Sequence, residues 1–482
     1  MEIEVLKKLI KEQMPDHEKN TQFIEEGERY YQNDNDILTS KDPVDANNNG
    51  SDKDNPLRSA DNRISHPWHQ LLVDQKASYT MTIPPSFDVE DDHMNEEITK
   101  LLGDAFGKVA KDLAINASNG GVSWLHYWKD EEYGNFFRYA IVDSKQIIAI
   151  HSAKLIGKLE GVLRFYADYD EKGDKIIVYE FWNEKECHAF YRPASKGVDD
   201  LNEYQMFEII DISEDSTVGY TNVFEHDWPG RTTFIPLKNN TLGQPDLKKY
   251  KRLIDVYDKV YSGFVNDVDD IQEIIFVLTN YGGEDKREFL NDLKTFKMIK
   301  VDADEDDAES GVETLAIDIP IEARTKILEM TREAIFTHGQ GVDPQRNIGQ
   351  NNSGKALQHM YSLLELKASM LETEFRIGFS ELVRAILQYS GHDPDVEITQ
   401  SWVRTAINDD LETAEVLTRV ASFSSQEALA KANPIVEDWN KELEALERER
   451  ASYGRAEDDY RDEDAEKALE DRLGDDDDVE EE

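Results

Sequence analysis

The stretch DLKKYKRLIDVYDKVYSGFVNDV, residues 246–268, decides how the rest of the chain reads. Leu247, Tyr250, Ile254, Tyr257, Tyr261, Phe264 and Val268 recur at alternating steps of three and four, so an α-helix gathers them into one apolar stripe. A stripe of that length and regularity suits packing along neighbouring helices, and it demands partners.

Reading outward toward the C-terminus, a compact insertion spans Ile271 to Ile317, with Ile274–Leu278, Phe296–Val301 and Thr314–Ile317 as strand candidates and an acidic turn at Asp302–Glu309. Pro320 opens a second helix that runs to His338, because proline is tolerated in a first helical turn, and Gly339 stops it. The loop Gly339–Asn352 holds three glycines, one proline and three asparagines and cannot continue the helix. A very long helix follows, Ser353–Tyr389, about 55 Å at 1.5 Å per residue. Its stripe is Leu357, Met360, Leu364, Ala368, Leu371, Phe375, Leu382 and Ile386. After Gly391-His392-Asp393-Pro394 the region Leu411–Arg450 reads as helical. The block Glu457–Glu482 carries 16 acidic and 3 basic residues, so mutual repulsion predicts disorder there.

Outward toward the N-terminus the signal changes. Val122–Trp128, Ala140–Val142, Leu163–Tyr166 and Ile176–Trp182 are short runs rich in β-branched and aromatic residues, and turns such as Glu171-Lys172-Gly173-Asp174 separate them. Met206–Ile212 and Phe234–Pro236 extend this antiparallel meander. Ahead of it lie helical stretches at Ile64–Tyr79, stopped by Pro84-Pro85, and at Asn95–Ser118. The segment Asn33–Asn62 is rich in Asp, Asn, Ser and Gly and reads as a mobile loop. The fold class is α+β, with a strand-rich first half and a helical second half.

Composition excludes several functions. With 54 basic and 102 acidic residues the formal net charge is −48, the opposite of what tight binding to nucleic-acid phosphates requires. A conduit is compatible with that balance, since a passage must not grip what slides through it. One cysteine, Cys187, forbids an intrachain disulfide and a thiolate metal cluster. Met1–Lys11 is amphipathic without a signal-type apolar core, and no run of 18 apolar residues occurs, which predicts a chain that is neither secreted nor membrane-spanning.

Local motifs give no chemistry. Gly349-Gln350-Asn351-Asn352-Ser353-Gly354-Lys355-Ala356 nearly spells a phosphate-binding loop, but Ala356 stands where a hydroxyl should meet Mg²⁺, and a helix, not a strand, leads into it. A nucleotide-binding enzyme using residues 349–355 is thus an alternative reading; an acidic scaffold protein is another. Asp45-Ala46-Asn47-Asn48-Asn49-Gly50 opens like an EF-hand loop, yet Pro56 occupies the twelfth position where a bidentate Glu belongs. His66, His69, His126, His151 and His188 are scattered without a metal or catalytic spacing. No catalytic residue, metal or cofactor is expected, and the chain is not read as an enzyme.

The order of elements resembles the portal proteins of long-tailed phages infecting Gram-positive bacteria. Asp61-Asn62-Arg63-Ile64-Ser65-His66-Pro67-Trp68 through Val73-Asp74-Gln75-Lys76-Ala77-Ser78-Tyr79 resembles that family's early signature, and Asp269–Ile271 to Gly282-Gly283 is similar to its approach to the clip. The resemblance implies a ring oligomer of twelve subunits built from a strand-rich wing (1–245, including the loop 33–62), a stem (246–268 and 320–338), a small α/β clip (269–319), a tunnel loop (339–352), a long wing helix (353–390), a helical crown (391–456) and an acidic tail (457–482). It implies a channel for double-stranded DNA at one capsid vertex, with Gly341, Asp343, Gln345, Arg346, Asn347, Gly349, Asn351 and Asn352 in the tunnel loop. It also implies docking of the terminase large subunit, and later of head-completion or adaptor proteins, at clip residues Glu284, Asp285, Lys286, Arg287, Asp304, Glu305 and Asp306. The major capsid and scaffold proteins would meet the outer surface, with no membrane partner. The location implied is the virion, after assembly in the host cytoplasm.

Overall fold

The computed structural model describes residues 1–40, 60–130, 136–155, 157–211, 217–270, 275–279, 311–315, 320–345, 354–404, 417–433, 436, 439 and 442–449. Two compact units emerge, one of residues 1–346 with 360–405 and one of residues 347–359 with 406–482.

The first unit opens with α1 (Ile3–Tyr31), which runs through Pro15, and the short α2 (Asp36–Thr39). Next come α3 (Trp68–Met81), β1 (Ser86–Asp88), α4 (Asp92–Leu102) and α5 (Phe106–Gly120). The helix expected over Asn95–Ser118 is therefore two helices. They part at Gly103, whose φ of +67° is left-handed and favours glycine.

The meander then supplies β2 (Val122–Asp130), β3 (Phe136–Val142), β4 (Ile147–His151), β5 (Leu159–Tyr169), β6 (Lys175–Trp182) and β7 (Glu186–Pro193). Short strands follow: β8 (Asn202–Glu203), β9 (Phe207–Asp211), β10 (Thr217–Thr221), β11 (Val223–Glu225) and β12 (Phe234–Lys238). One antiparallel sheet has the order β11-β7-β6-β5-β4, with β8 on β7, and a second has the order β12-β2-β3.

A 3₁₀ turn, Asp246–Lys249, leads into α6 (Lys251–Asp270). The described part of the insertion is an antiparallel pair, β13 (Ile275–Thr279) with β14 (Gly311–Leu315); the strand expected at Phe296–Val301 lies outside the described residues. Helix α7 (Ile321–Gly339) packs against α6, and α8 (Gly354–Tyr389) is the long helix. After it, β15 (Thr399–Ser401) pairs with β1. Within the second unit, α9 (Gln426–Ala432) begins at Ser425, whose side chain accepts from the Ala428 amide.

The main core shows what the long helix is for. Phe375, Phe379, Leu382, Val383 and Ile386 of α8 are fully buried beneath α5 and the β12-β2-β3 sheet. Burial of each such side chain is worth about 1.5–3 kcal/mol. Gly378 marks the closest approach, since a Cβ there would stand 3.0 Å from Leu237 of β12. The indole of Trp228 donates to the Ala385 carbonyl at 2.9 Å, so a large buried ring locks the sheet side to the helix.

These contacts correct the expectation about the stripes. Leu364, Ala368, Leu371, Phe375, Leu382 and Ile386 do lie on one face of α8, but their partners belong to the same chain. The first half of the α6 stripe, Leu247, Tyr250 and Ile254, is likewise buried within the chain, against Tyr30, Leu72, Ile335 and Phe336. Periodicity identifies which face is covered and is silent about what covers it. Val268, the last residue of the α6 stripe, stays exposed; the other exposed apolar residues include Leu363, Leu366, Met370 and Ile377 on the opposite face of α8, and Ile327 and Met330 on α7.

Candidate functional site

The glycine-rich loop after α7 begins as a helix terminus should. Gln340 adopts a left-handed conformation, and the Gly341 amide donates back to the Phe336 carbonyl at 3.0 Å. Gly339 and Gly341 both press on the fully buried Leu72 of α3, where an added Cβ would come within 2.5 Å and 2.3 Å of its methyl groups. Gln75, one turn along α3, grips the next residue by both ends: its amide donates to the Val342 carbonyl at 2.8 Å and accepts from the Val342 amide at 3.0 Å. Arg332 of α7 then donates to the Asp343 carboxylate at 2.5 Å and to the Gln345 side chain, and Asp343 also accepts the Gln345 amide across Pro344. The loop therefore leaves the helix already fastened at four successive points.

Of the residues expected to line a channel, Gly341, Asp343 and Gln345 sit in this fastened segment. Asp343 is paired with Arg332 of its own chain. Arg346, Asn347, Gly349, Asn351 and Asn352 lie outside the described residues, as do Glu284, Asp285, Lys286, Arg287, Asp304, Glu305 and Asp306, which fall between β13 and β14. The phosphate-loop-like segment falls between helices α7 and α8, and among the described residues between them there is no strand of the kind that leads into such loops.

Beneath the loop lies a charged cluster that sequence reading missed. Asp246, at the start of the 3₁₀ turn, accepts from Lys76 of α3 at 2.6 Å and lies 3.0 Å from Lys367 of α8; the exposures are 2%, 1% and 4%. Asn239 completes it, accepting from Lys76 at 2.5 Å and donating to Asp246 at 2.9 Å. Lys367 also donates to the Gly339 carbonyl at 2.9 Å, placing a cation at the negative end of α7 where the loop starts. Burial drives the Lys76 ammonium down to about 8 against the pull of Asp246, and it drives Lys367 down as well. Burial would raise Asp246, but Lys367 and Lys76 hold it far below the usual carboxylate range. Beside them the buried His69 accepts from the Tyr250 hydroxyl at 2.7 Å and meets Asn119 at 3.0 Å. Burial pushes this imidazole down to about 4, so it is neutral at pH 7.

The lower half of α6 is held differently. Its buried polar positions are Asp258, Ser262 and Asn266, a file at four-residue spacing. An extended strap, residues 62–66, runs antiparallel along it. The Asn62 amide donates to Asn266 at 2.6 Å, the Ile64 amide to Ser262 at 3.0 Å, and the His66 amide to Asp258 at 3.1 Å. Geometry explains the match: two residues of extended chain advance about 6.6 Å, and four residues of helix advance about 6.0 Å. The His66 ring adds a 2.7 Å contact to Asp258 and is covered edge-on by Tyr257 and Tyr261 at 4.8 Å and 4.7 Å. Asn35 donates to the other Asp258 oxygen at 2.7 Å and to the His66 carbonyl at 3.1 Å. Burial raises the Asp258 carboxyl above its ordinary value although these partners pull it down. Asp36 accepts from Arg29 and Lys251, both at 2.5 Å, and Asn62 donates to Asn266, so both described ends of the segment 33–62 are anchored; the rest of the expected loop, 41–59, lies outside the described residues.

Among the described residues no helix is long and apolar enough to cross a membrane. Residues 10–455 match the family model described as "Phage portal protein, SPP1 Gp6-like". The chain is 38% identical over 452 residues to a portal protein of Clostridium phage phiCD119, covering 91% of this chain and 95% of that protein. It is 32% identical over 455 residues to the portal protein of Bacillus phage SPP1, covering 90% and 85%. A looser likeness, TM-score 0.40 at 11% identity, links 77% of this chain to 90% of a chain from the neck of a native gene transfer agent particle.

Proposed function

The chain belongs to the SPP1 Gp6-like family of phage portal proteins, and on that premise we propose that copies of it close into a ring of twelve around a channel through which double-stranded DNA enters and leaves the capsid. Family membership across residues 10–455 carries this reading. The exposed file Leu363, Leu366, Met370 and Ile377 supports it: these residues follow steps of three, four and seven on α8, the spacing of a helix seam, and they are left open by the chain's own core. A second copy is the occupant the ring supplies, and a cyclic ring completes every such contact.

In this reading α6 and α7 form the stem, the hairpin region 269–319 forms the clip, and residues 391–456 form the crown. The loop 339–352 lines the channel, with Asp343, Gln345, Arg346 and Asn347 as the candidates for facing the phosphates. Residues 284–287 and 304–306 dock the terminase large subunit and then the adaptor. Capsid and scaffold proteins surround the wing. The negative balance of the chain keeps DNA sliding, and a separate motor supplies the energy. The portal ring is a structural part of the virion, not the enzyme of packaging.

Sedimentation and particle imaging of the full chain test the reading. Wild-type protein is expected as large rings, and the double change Leu366→Glu with Ile377→Glu is expected to leave smaller species with an unchanged near-UV circular dichroism spectrum. Monomeric wild-type protein at micromolar concentration, or rings indifferent to both changes, would overturn it.

A further inference from the structure

We propose that His93, Glu97 and His392 form a binding site for one divalent transition-metal ion of the zinc type, joining α4 to the turn that closes the long helix. His93 and Glu97 are four residues apart on α4, so they project from one face a single turn apart. His392 arrives from the other side. Gly391, with φ +79°, reverses the chain after α8, and the His392 amide donates to the Leu387 carbonyl at 2.8 Å, which fixes the turn. His392 Nε2 lies 3.0 Å from Glu97 Oε2, and one ligand atom from each of the three side chains falls within 4.8 Å of the others.

Zinc holds nitrogen and carboxylate oxygen at about 2.0–2.2 Å, which sets neighbouring ligands roughly 3.4 Å apart in a tetrahedron. The Glu97–His392 pair already has nearly that separation. His93 is exposed and closes the remaining gap, at most about 1.4 Å, by turning its side chain, leaving a fourth position for water. Two imidazoles with one carboxylate favour zinc, nickel or cobalt over magnesium and calcium, which prefer all-oxygen shells.

The site is also pre-assembled by the backbone. The strand β1 just ahead of α4 pairs with β15 just after the turn, Ser86 opposite Ser401 and Asp88 opposite Thr399. The two segments that carry the ligands are thus already tied together, and a bound ion would fasten them at a second point.

The test uses full-length protein without a histidine tag, stripped with a chelator and titrated with zinc chloride in excess magnesium, which occupies the many simple carboxylate sites. One zinc per chain is expected, with affinity at least about tenfold weaker in His93→Ala and in His392→Ala. Cobalt(II) should give a visible absorption band that His93→Ala loses; since His93 is exposed, that variant keeps the fold. Absence of zinc binding under magnesium, or binding that neither histidine change weakens, overturns the assignment.

Discussion

Helix α6 is held at its root and along its shaft by two different chemistries. At the root, one carboxylate, Asp246, sits between two ammonium groups, Lys76 and Lys367, all buried. Along the shaft, Asp258, Ser262 and Asn266 receive the amides of a passing strap, a set of single hydrogen bonds spread over about two helical turns. The root concentrates its hold in one residue, whereas the shaft distributes it. Since the root also caps α7 through Lys367 and Gly339, it couples the packing of three helices to the start of the glycine-rich loop.

The largest expected difference is in single-residue sensitivity. Asp246→Ala strands two buried cations, and breaking such a group typically costs about 3–5 kcal/mol. Denaturant unfolding should show that loss; a change of under about 1 kcal/mol would mean that water or a side-chain shift relieves the lysines.

Acid should separate the two regions next. The His69 value falls from 6.5 to about 4 on folding, so its contribution is complete above pH 6.5 and is lost as pH drops through 4. That amounts to about 3 kcal/mol by linkage. The Asp258 carboxyl moves the other way: its folded value is raised, so its contribution is largest at low pH and declines as pH rises through that value. Acidification should therefore loosen the root while sparing the strap. Hydrogen exchange at pH 7 and pH 4.5 would show it as faster exchange around residues 69–76 without matching loss at 62–66, and His69→Gln should flatten the effect. Equal acceleration at both places would defeat the contrast.

The smallest effect is expected along the shaft. Asp258→Ala removes the acceptor of His66 and Asn35 but leaves the Ser262 and Asn266 rungs, for a cost of about 1–3 kcal/mol. A loss matching that of Asp246→Ala would show that the strap is no more distributed than the root.

Much of this frame was legible in the residues. Pro320 and Gly339 bracket α7, the stripe of α8 marks its full length to Tyr389, and the β-branched runs name β2, β5 and β6. What could not be read was the identity of partners. The α6 stripe implied covered apolar residues, and the structure supplies Trp68, Phe336 and the strap from the same chain. The buried Lys76 and Lys367 lie 291 positions apart, and nothing in local composition distinguishes them from solvated lysines. A faint signal did exist for the strap: alternate residues Asn62, Ile64 and His66 face three small polar side chains at four-residue spacing on a helix. Likewise the His93–Glu97 spacing was visible, but only the turn at Gly391 brings His392 to it.

The strap has a consequence for how this part of the protein can vary in length. Each rung leaves a mismatch of about 0.6 Å between the advance of an extended chain and that of a helix, so the two drift by only about 1.2 Å over the three rungs. One inserted residue in the strap would turn alternate groups away from α6 and dismantle every rung beyond it. Size can change here only in matched quanta, two residues of strap together with four of helix.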